Sequence, residues 1–294
     1  MRIGIDPKVD FAFKWVFGRE QNEDLLLDLL NSILEPLPDR RLESVTILNP
    51  LLPGDTEDSK LAVLDILARD SRGRQYNIEM QVVSHRFLKE RFLFYWAKLH
   101  AQQLFEGDDY ERLRPTISVL VLDDVLFPDL AGSHQRFQLW NDMHATTFTD
   151  QLEIHLLELP KFHATLSELT TELDRWLFFL QHAAMLDVEA WPQELAVPPL
   201  QHAAKELEML SITDIERLRY ESRLKGERDY RSGMRGAREE GLEEGREVGQ
   251  IQLCQELLGQ PVITVAEFDR LSRVEMATLL SQLKAALRNR GNLP

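Results

Sequence analysis

The chain of 294 residues contains a single cysteine, at position 254. Cys254 therefore has no partner for a disulfide within the chain, and a zinc site built on paired cysteines is excluded. The longest apolar runs, such as 117–122 and 176–180, fall far short of the roughly 20 residues that span a bilayer. The first thirty residues lack the charged segment followed by an apolar segment that marks a secretory signal. These absences predict a cytoplasmic protein with no membrane partner.

Several motifs of well-known chemistries are also missing. No GxGxxG follows a predicted strand, and neither GxxxxGK[ST] nor GxSxG occurs. The eight histidines are scattered, and no pair has the spacing of HExxH. The sequence therefore gives no support to dinucleotide binding, nucleoside-triphosphate hydrolysis or serine-hydrolase chemistry.

Positive charge is in the minority. The chain has 34 Lys and Arg against 49 Asp and Glu, so its formal net charge is −15. Such a balance excludes a protein that coats nucleic acid through bulk positive charge. The net negative charge is concentrated in 147–215, which has twelve acids against three basic residues, whereas 86–98 carries four basic residues and one acid. We therefore expect any phosphate-binding surface to be local.

Hydrophobic periodicity in the first 130 residues predicts the order α-β-β-β-α-β. Helices are assigned where apolar residues recur at helical spacing, and strands where polarity alternates or β-branched residues cluster. The predicted elements are helices over 7–18 and 22–34, strands over 44–49, 60–70 and 74–83, a helix over 86–105 and a buried strand over 116–122. This order predicts an α/β fold with a mixed sheet.

We expect four parts along the chain. They are an α/β core over 1–130, a largely helical extension over 131–224 that an extra strand over 152–159 could join, a Gly-rich charged connector over 225–259, and a small helical unit over 260–294. In the connector, glycine or alanine recurs every four residues from Gly233 to Gly249. Glycine costs about 1 kcal/mol within a helix, but Glu and Arg at spacings of three and four favour one. We favour a helix that packs on another helix or on a second copy, giving a homo-oligomer; a flexible linker is the alternative.

The most informative segment is the predicted hairpin around Ser71-Arg72-Gly73. Three-residue hairpin loops commonly end with glycine in the left-handed conformation. In that register Asp70 faces Arg74, and Asp65 lies directly opposite Glu79. Directly opposed residues point to the same face of a sheet, with Cβ atoms roughly 4.5–5.5 Å apart. The two carboxylates should therefore converge.

Two facing carboxylates repel each other unless a cation neutralises them. Magnesium binds oxygen ligands and typically takes one or two carboxylates while keeping several waters. Asp65 and Glu79, with the main-chain carbonyl of Met80 or the amide of Gln81, could supply these ligands. Such an ion would promote phosphodiester hydrolysis. The alternative interpretation is that both acids are solvated strand residues or partners of basic side chains.

The set D-x(13)-E-x-Q, on this order of elements, resembles the PD-(D/E)XK nuclease superfamily. Within it, the sequence is most similar to the recombination-promoting nuclease (Rpn) and transposase branch. The similar segments are 6–18, 64–81, 91–123, 152–162 and 240–249. The resemblance implies a restriction-endonuclease-like core and a DNA endonuclease, dependent on Mg²⁺ or Mn²⁺, that serves recombination or transposition.

Carried onto this sequence, the resemblance assigns catalytic and metal-binding places to Asp65 and Glu79, with the carbonyl of Met80. Gln81 stands where the wider superfamily usually has lysine; glutamine can orient a water but adds no positive charge to a transition state. Asp10 matches the acidic position of the branch's amino-terminal D-x-x-FK motif. It is expected to assist at the metal or, alternatively, to cap the first helix.

Arg91, Tyr95 and Lys98 fall on one stripe of the predicted helix over 86–105. In a nuclease this stripe would contact the DNA backbone, where each neutralised phosphate adds salt-dependent affinity. A solvated helix edge is the alternative. A second function also fits the sequence: a catalytically weak nuclease fold that binds DNA or protein and self-associates through its carboxy-terminal helix.

Overall fold

The computed structural model describes residues 2–34, 41–48, 51–52, 62–83, 86–268 and 270–291. Its strands are β1 Val45–Leu48, β2 Leu51–Leu52, β3 Ala62–Val63, β4 Ile66–Asp70, β5 Gln75–Gln81, β6 Thr116–Leu122, β7 His134–Gln138, β8 Trp140–Asn141, β9 Thr146–Thr147 and β10 Leu152–Glu158. Its α-helices are α1 Asp10–Phe17, α2 Glu23–Leu34, α3 Leu88–Ala101, α4 Glu172–His182, α5 Pro198–Ile212, α6 Asp214–Leu258, α7 Val265–Phe268 and α8 Arg273–Gly291. Short 3-10 helices lie at Glu20–Asn22, Tyr110–Arg112, Leu159–Lys161, Leu166–Glu168, Ala183–Met185 and Gln193–Leu195.

A mixed sheet of six strands organises the amino-terminal part, in the order β1-β4-β5-β6-β10-β7. β6 pairs in parallel with both β5 and β10, while the other pairs of this sheet are antiparallel. The parallel pair β5–β6 is joined through α3, as parallel strands require a crossover connection. The predicted α/β class and the α-β-β-β-α-β order are confirmed.

The hairpin between β4 and β5 has the predicted loop and register. Gly73 has φ +83°, and the main-chain N–H of Asp70 donates to the Arg74 carbonyl at 3.1 Å. The register pairs Ile66 with Ile78. The strand predicted over 60–70 is, however, interrupted: β3 ends at Val63 and pairs with β2, and β4 begins at Ile66. Residues 60 and 61 lie outside the described residues.

Helices cover both faces of the sheet. One face packs against α1, α2, α4 and α5 in the main hydrophobic core, which includes Phe13, Ile78, Val119 and Trp176. The opposite face packs against α3 through smaller clusters, such as the one that joins Phe92 to Leu120. All seven residues of β6 are buried, as predicted for a strand covered on both sides. On β5, Tyr76, Ile78 and Met80 enter the main core, and the alternate residues, which are polar, point to the α3 face.

The sheet extends past residue 130. The strand predicted over 152–159 is β10, which lies beside β6 within the sheet. β7 and the small hairpin of β8 and β9 were not predicted. β7 is the polar edge strand HQRFQ, and edge strands lack the hydrophobic alternation that identifies central ones. The segment expected to be largely helical thus begins with strands, and its helices follow β10.

The chain divides into two compact units, residues 1–227 and 228–294. α6 is one continuous helix of 45 residues, which agrees with the helical interpretation of the connector rather than the flexible linker. The second unit has its own small core, formed by Ile251, Cys254, Phe268, Met276 and Leu283. Apart from the backbone of α6 itself, no atom of the described residues lies within 4 Å of a Cβ built on Gly241, Gly245 or Gly249. Packing of this glycine line on a second copy stays a prediction.

Among the residues that the structure describes, no helix has both the length and the apolar character needed to span a membrane.

Candidate active site

Asp65 and Glu79 meet on the α3 face of the sheet. Asp65 lies in a bend one residue before β4, and continuing the β4–β5 register from Ile66 and Ile78 brings it opposite Glu79. The Oδ2 atom of Asp65 accepts a hydrogen bond from the main-chain N–H of Met80 at 3.0 Å. Glu79 is 3% exposed. The local hairpin register therefore brings the two predicted acids together, and the main chain of β5 holds one of them.

Burial and mutual repulsion make both carboxylates hard to ionise. Burial raises the pKa of Glu79, and the charge of Asp65 raises it further, to about 7. The amide of Asn77 donates to Glu79 Oε1 at 3.3 Å and opposes that change. Burial also raises the pKa of Asp65, although Lys14 acts in the other direction. A pair of this kind favours the binding of a cation, because the cation offsets the cost of two buried negative charges.

Helix α1 brings a positive charge to this pair. The Lys14 ammonium lies 2.9 Å from Asp65 Oδ1 and 2.7 Å from Asp10 Oδ1. Asp10 and Lys14 are four residues apart and therefore lie on one face of the helix. Phe13 and Phe17, on the neighbouring face of α1, anchor the helix in the main core, with ring centroids 5.0 Å apart. The carboxylates of Asp65 and Asp10 raise the pKa of Lys14 despite its partial burial, so this residue is protonated at neutral pH.

Asp10 belongs to this constellation and does not cap the helix. The N-cap of α1 is Val9, and Asp10 is the first helical residue. The main-chain N–H of Asp10 donates to Glu227 Oε1 at 3.3 Å, while its carboxylate holds Lys14. Asp10 is therefore linked to the acidic pair through Lys14, whose ammonium contacts both Asp10 and Asp65.

Lys14 is the site residue that the sequence analysis did not single out. Its spacing of four from Asp10 was visible in the sequence, and it is the basic residue of the D-x-x-FK motif. Nothing local, however, indicates that α1 reaches the start of β4. That contact joins two segments far apart in the chain and depends on how α1 packs on the sheet.

Met80 and Gln81 are the last two residues of β5 and lie beside the acidic pair. The N–H and C=O groups of one strand residue point to the same neighbour, so the Met80 carbonyl faces the side of Asp65. Gln81 is the last residue of β5, is half-buried, and shares the face of Glu79. The main-chain carbonyl of Gln81 accepts from the N–H of Asp123 at 2.9 Å, on the side of β6.

The stripe on α3 is only partly a surface feature. Arg91 Nη2 lies 3.8 Å from Glu79 Oε2, and the guanidinium sits over the Tyr95 ring, 5.8 Å from its centroid. The buried Nε of Arg91 has no hydrogen-bond partner among the described residues. Tyr95 packs on the small cluster that contains Leu67, and Lys98 is half-buried. Arg91 is thus directed toward the acidic pair, and the solvated-edge interpretation does not describe it.

The oxygen atoms of Asp65, Glu79 and the Met80 carbonyl are ligands of the kind that a hard cation such as Mg²⁺ prefers. The described residues contain no group of three or more His, Cys, Asp or Glu side chains that could hold a metal ion. Magnesium requires fewer, because it is typically bound by one or two carboxylates and keeps several waters. Asp65, Glu79 and the Met80 carbonyl fit this requirement by their oxygen chemistry and by the raised pKa values of the two acids.

The mixed six-stranded sheet, with an acidic pair at the open end of its β4–β5 hairpin, defines a restriction-endonuclease-like α/β core. The family model described as PD-(D/E)XK nuclease family transposase matches residues 7–237. The chain belongs to this family, which confirms the resemblance seen in the sequence. No curated protein and no solved structure gives a significant match. The family implies DNA as the substrate, and PD-(D/E)XK nucleases generally use divalent metals.

Proposed function

We propose that the protein is a DNA endonuclease, dependent on Mg²⁺ or Mn²⁺, that hydrolyses phosphodiester bonds during recombination or transposition. The observation that carries the proposal is the pairing of Asp65 with Glu79. Both are largely buried, the charge of one raises the pKa of the other, and the Met80 N–H fixes Asp65 beside β5. Buried acids whose pKa values are raised by burial and by each other are concentrated at functional sites, which supports this assignment.

In this proposal each residue has a separate task. Asp65, Glu79 and the Met80 carbonyl would hold the divalent ion, which would supply Lewis-acid chemistry at the scissile phosphodiester and at a bound water. Gln81, on the same face as Glu79, orients the attacking water through its amide. Asp10 keeps the side chain of Lys14 at the site through their ion pair.

The DNA backbone would lie along α3. Arg91, Tyr95 and Lys98 are the proposed contacts, and Arg91 has a buried donor with no hydrogen-bond partner among the described residues. The Arg91 side chain as a whole is 38% exposed, and arginine suits phosphate recognition, so its guanidinium can bind a phosphate oxygen through the exposed part of the group. The net charge of −15 makes such a local contact necessary, because the chain as a whole repels DNA.

A plasmid-nicking assay with a divalent-metal titration tests the proposal. Wild-type protein should nick supercoiled DNA only with Mg²⁺ or Mn²⁺, and Asp65→Asn or Glu79→Gln should reduce the rate on the order of 10²-fold or more. Glu106→Gln, which removes an exposed acid, is the matched control and should retain the wild-type rate. Equal nicking by wild type and Asp65→Asn, with both folded, would refute the site assignment.

The second candidate function is a catalytically weak module that binds DNA or protein and self-associates through α6. The open space around Gly241 and Gly245 supports it, because small residues allow a second helix to approach closely. A Gly241→Leu, Gly245→Leu variant should remain folded and sediment as a monomer, whereas the wild type sediments as a dimer. A wild-type protein that sediments as a monomer at high concentration contradicts the self-association.

A further inference from the structure

We infer that Lys14 is a catalytic residue of the nuclease, and that its ammonium group stabilises the negative charge that develops on the scissile phosphate. The inference rests on the proposed function and adds to it a residue that neither the family match nor the sequence analysis assigned. Its basis is the position of the Lys14 side chain on α1 relative to the carboxylates of Asp10 and Asp65.

The chemistry requires a positive charge that β5 does not supply. Hydrolysis of a phosphodiester increases the negative charge on the non-bridging phosphoryl oxygens, and preorganised donors aimed at those oxygens are a major source of rate enhancement. Gln81 is neutral at every pH of interest. The cations within 4 Å of Asp65 or Glu79 among the described residues are Lys14 and Arg91.

Lys14 is better placed for this task than Arg91. Its Nζ lies 2.9 Å from Asp65, whereas Arg91 approaches only Glu79, at 3.8 Å. The side chains of Lys14 and Arg91 are similarly exposed, at 36% and 38%, so the two cations differ in their distance to the acids and in which acid they contact. A phosphate bound at Asp65 would therefore lie beside the Lys14 ammonium.

Two carboxylates bind the Lys14 ammonium, so the loss of one contact leaves the other in place. Asp10 binds the ammonium at 2.7 Å from the same helix, one turn away, and the helix itself is anchored by Phe13 and Phe17 in the core. Lys14 can therefore release Asp65 to another cation and stay beside the site through Asp10. Asp10 is a positioning residue in this scheme, which gives a physical role to the acid of the amino-terminal motif.

The step in which Lys14 takes part balances without any further reactant. The oxygen of a water molecule forms a bond to phosphorus, and the bond from phosphorus to the leaving ester oxygen breaks. The water loses one proton and the leaving oxygen gains one, so nothing is oxidised or reduced. The Lys14 ammonium keeps its protons and donates a hydrogen bond to a non-bridging oxygen, as charge-assisted donors to phosphate do.

The test compares wild type, Lys14→Gln and the double variant Lys14→Gln, Gln81→Lys. The control is Lys205→Gln, which removes the same charge from an exposed position on α5. Plasmid nicking at saturating Mn²⁺ gives kcat, and calorimetric titration of Mn²⁺ gives the metal affinity separately. Circular dichroism checks the fold, and Lys14→Met, which keeps the aliphatic stem, replaces Lys14→Gln if that variant does not fold.

We expect Lys14→Gln to lower kcat on the order of 10²-fold, with Mn²⁺ bound at least as tightly as by wild type, because a competitor for Asp65 is removed. A lysine restored at position 81, on the face of Glu79, should recover part of the lost rate. A Lys14 variant with wild-type kcat overturns the inference, as does a rate lost only in proportion to lost Mn²⁺ affinity. Wild-type protein that fails to nick DNA with any divalent metal overturns the proposed function itself, which distinguishes the two failures.

Discussion

The main-chain N–H of Met80 donates a hydrogen bond to the carboxylate of Asp65, with 3.0 Å between nitrogen and Oδ2. This bond lies at the interruption between β3 and β4. The Met80 N–H there donates to the Asp65 side chain instead of to a main-chain carbonyl of the neighbouring strand. The interruption lets Asp65 turn its carboxylate along the edge of β5, between Met80 and Lys14. The local irregularity of the strand thereby contributes directly to the geometry of the candidate active site.

The bond between Met80 and Asp65 predicts unequal costs for two substitutions at position 65. Asp65→Ala leaves a largely buried N–H without its acceptor and should lower the free energy of unfolding by about 1–3 kcal/mol. Asp65→Asn keeps an oxygen acceptor and removes the repulsion with Glu79, so it should cost less. Urea denaturation in metal-free buffer measures both values. Equal losses for the two variants would show that the hydrogen bond does not hold Asp65.

The raised pKa of Glu79 predicts a specific pH dependence of stability in metal-free buffer. The pKa is about 7 in the folded protein, against 4.5 for an unperturbed glutamate. The folded state therefore holds a proton that the unfolded state has lost, and stability decreases as the pH rises from 4.5 through 7. The decrease should be up to about 3 kcal/mol.

Glu79→Gln lacks this titration, so its stability should exceed that of wild type above pH 7 and converge with it near pH 4.5. Thermal or urea unfolding at several pH values measures the difference, with the exposed Glu106→Gln as the control that follows wild type. If the free energy of unfolding depends on pH in the same way in wild type and Glu79→Gln, the raised pKa of Glu79 is contradicted.

The hairpin loop predicts that position 73 requires glycine. Gly73 has φ +83°, and a Cβ there would lie 3.3 Å from Cγ of Arg114. Gly73→Ala should lower the free energy of unfolding by about 1 kcal/mol or more, because a side chain is strained in this conformation. Gly226→Ala lies in the helical part of the same unit, and apart from the backbone of α6 no atom of the part of the chain that the structure describes is within 4 Å of the added carbon. This change should instead stabilise by up to about 1 kcal/mol. Two changes of the same sign would contradict the conformational argument.

The position of Arg91 predicts its effect on DNA binding. Arg91→Gln should weaken binding to all duplex sequences alike and reduce the slope of log affinity against log salt by about 0.9, the value for one phosphate contact. Fluorescence anisotropy over a salt series measures the slope, and Lys205→Gln on α5 is the control. An unchanged slope in Arg91→Gln would show that Arg91 does not contact a DNA phosphate and interacts only with Glu79.

Local geometry explains which parts of the site could be predicted. The loop Ser71-Arg72-Gly73 fixes the register of β4 and β5, and this register alone brings Asp65 opposite Glu79. The helical character of α6 likewise follows from residue spacing and propensity. Both features depend on residues close together in the chain.

Long-range pairing explains what could not be predicted. The apolar pattern of β10 indicated a strand. It did not indicate that β10 lies beside β6 inside the sheet, because no short sequence motif marks which strands pair in parallel. β7 is polar and pairs only at the edge. Lys14 reaches Asp65 only because the sheet packs on α1, and this packing is set by the core around Phe13.

Calorimetric titration of Mn²⁺ into metal-free protein tests the central claim most directly. The pairing of Asp65 with Glu79 predicts a binding event in wild type that is weakened at least about tenfold in Asp65→Asn and in Glu79→Gln. It also predicts that Glu106→Gln binds as wild type does. Manganese binding that is unchanged in both variants, while their folds are intact, would contradict the account.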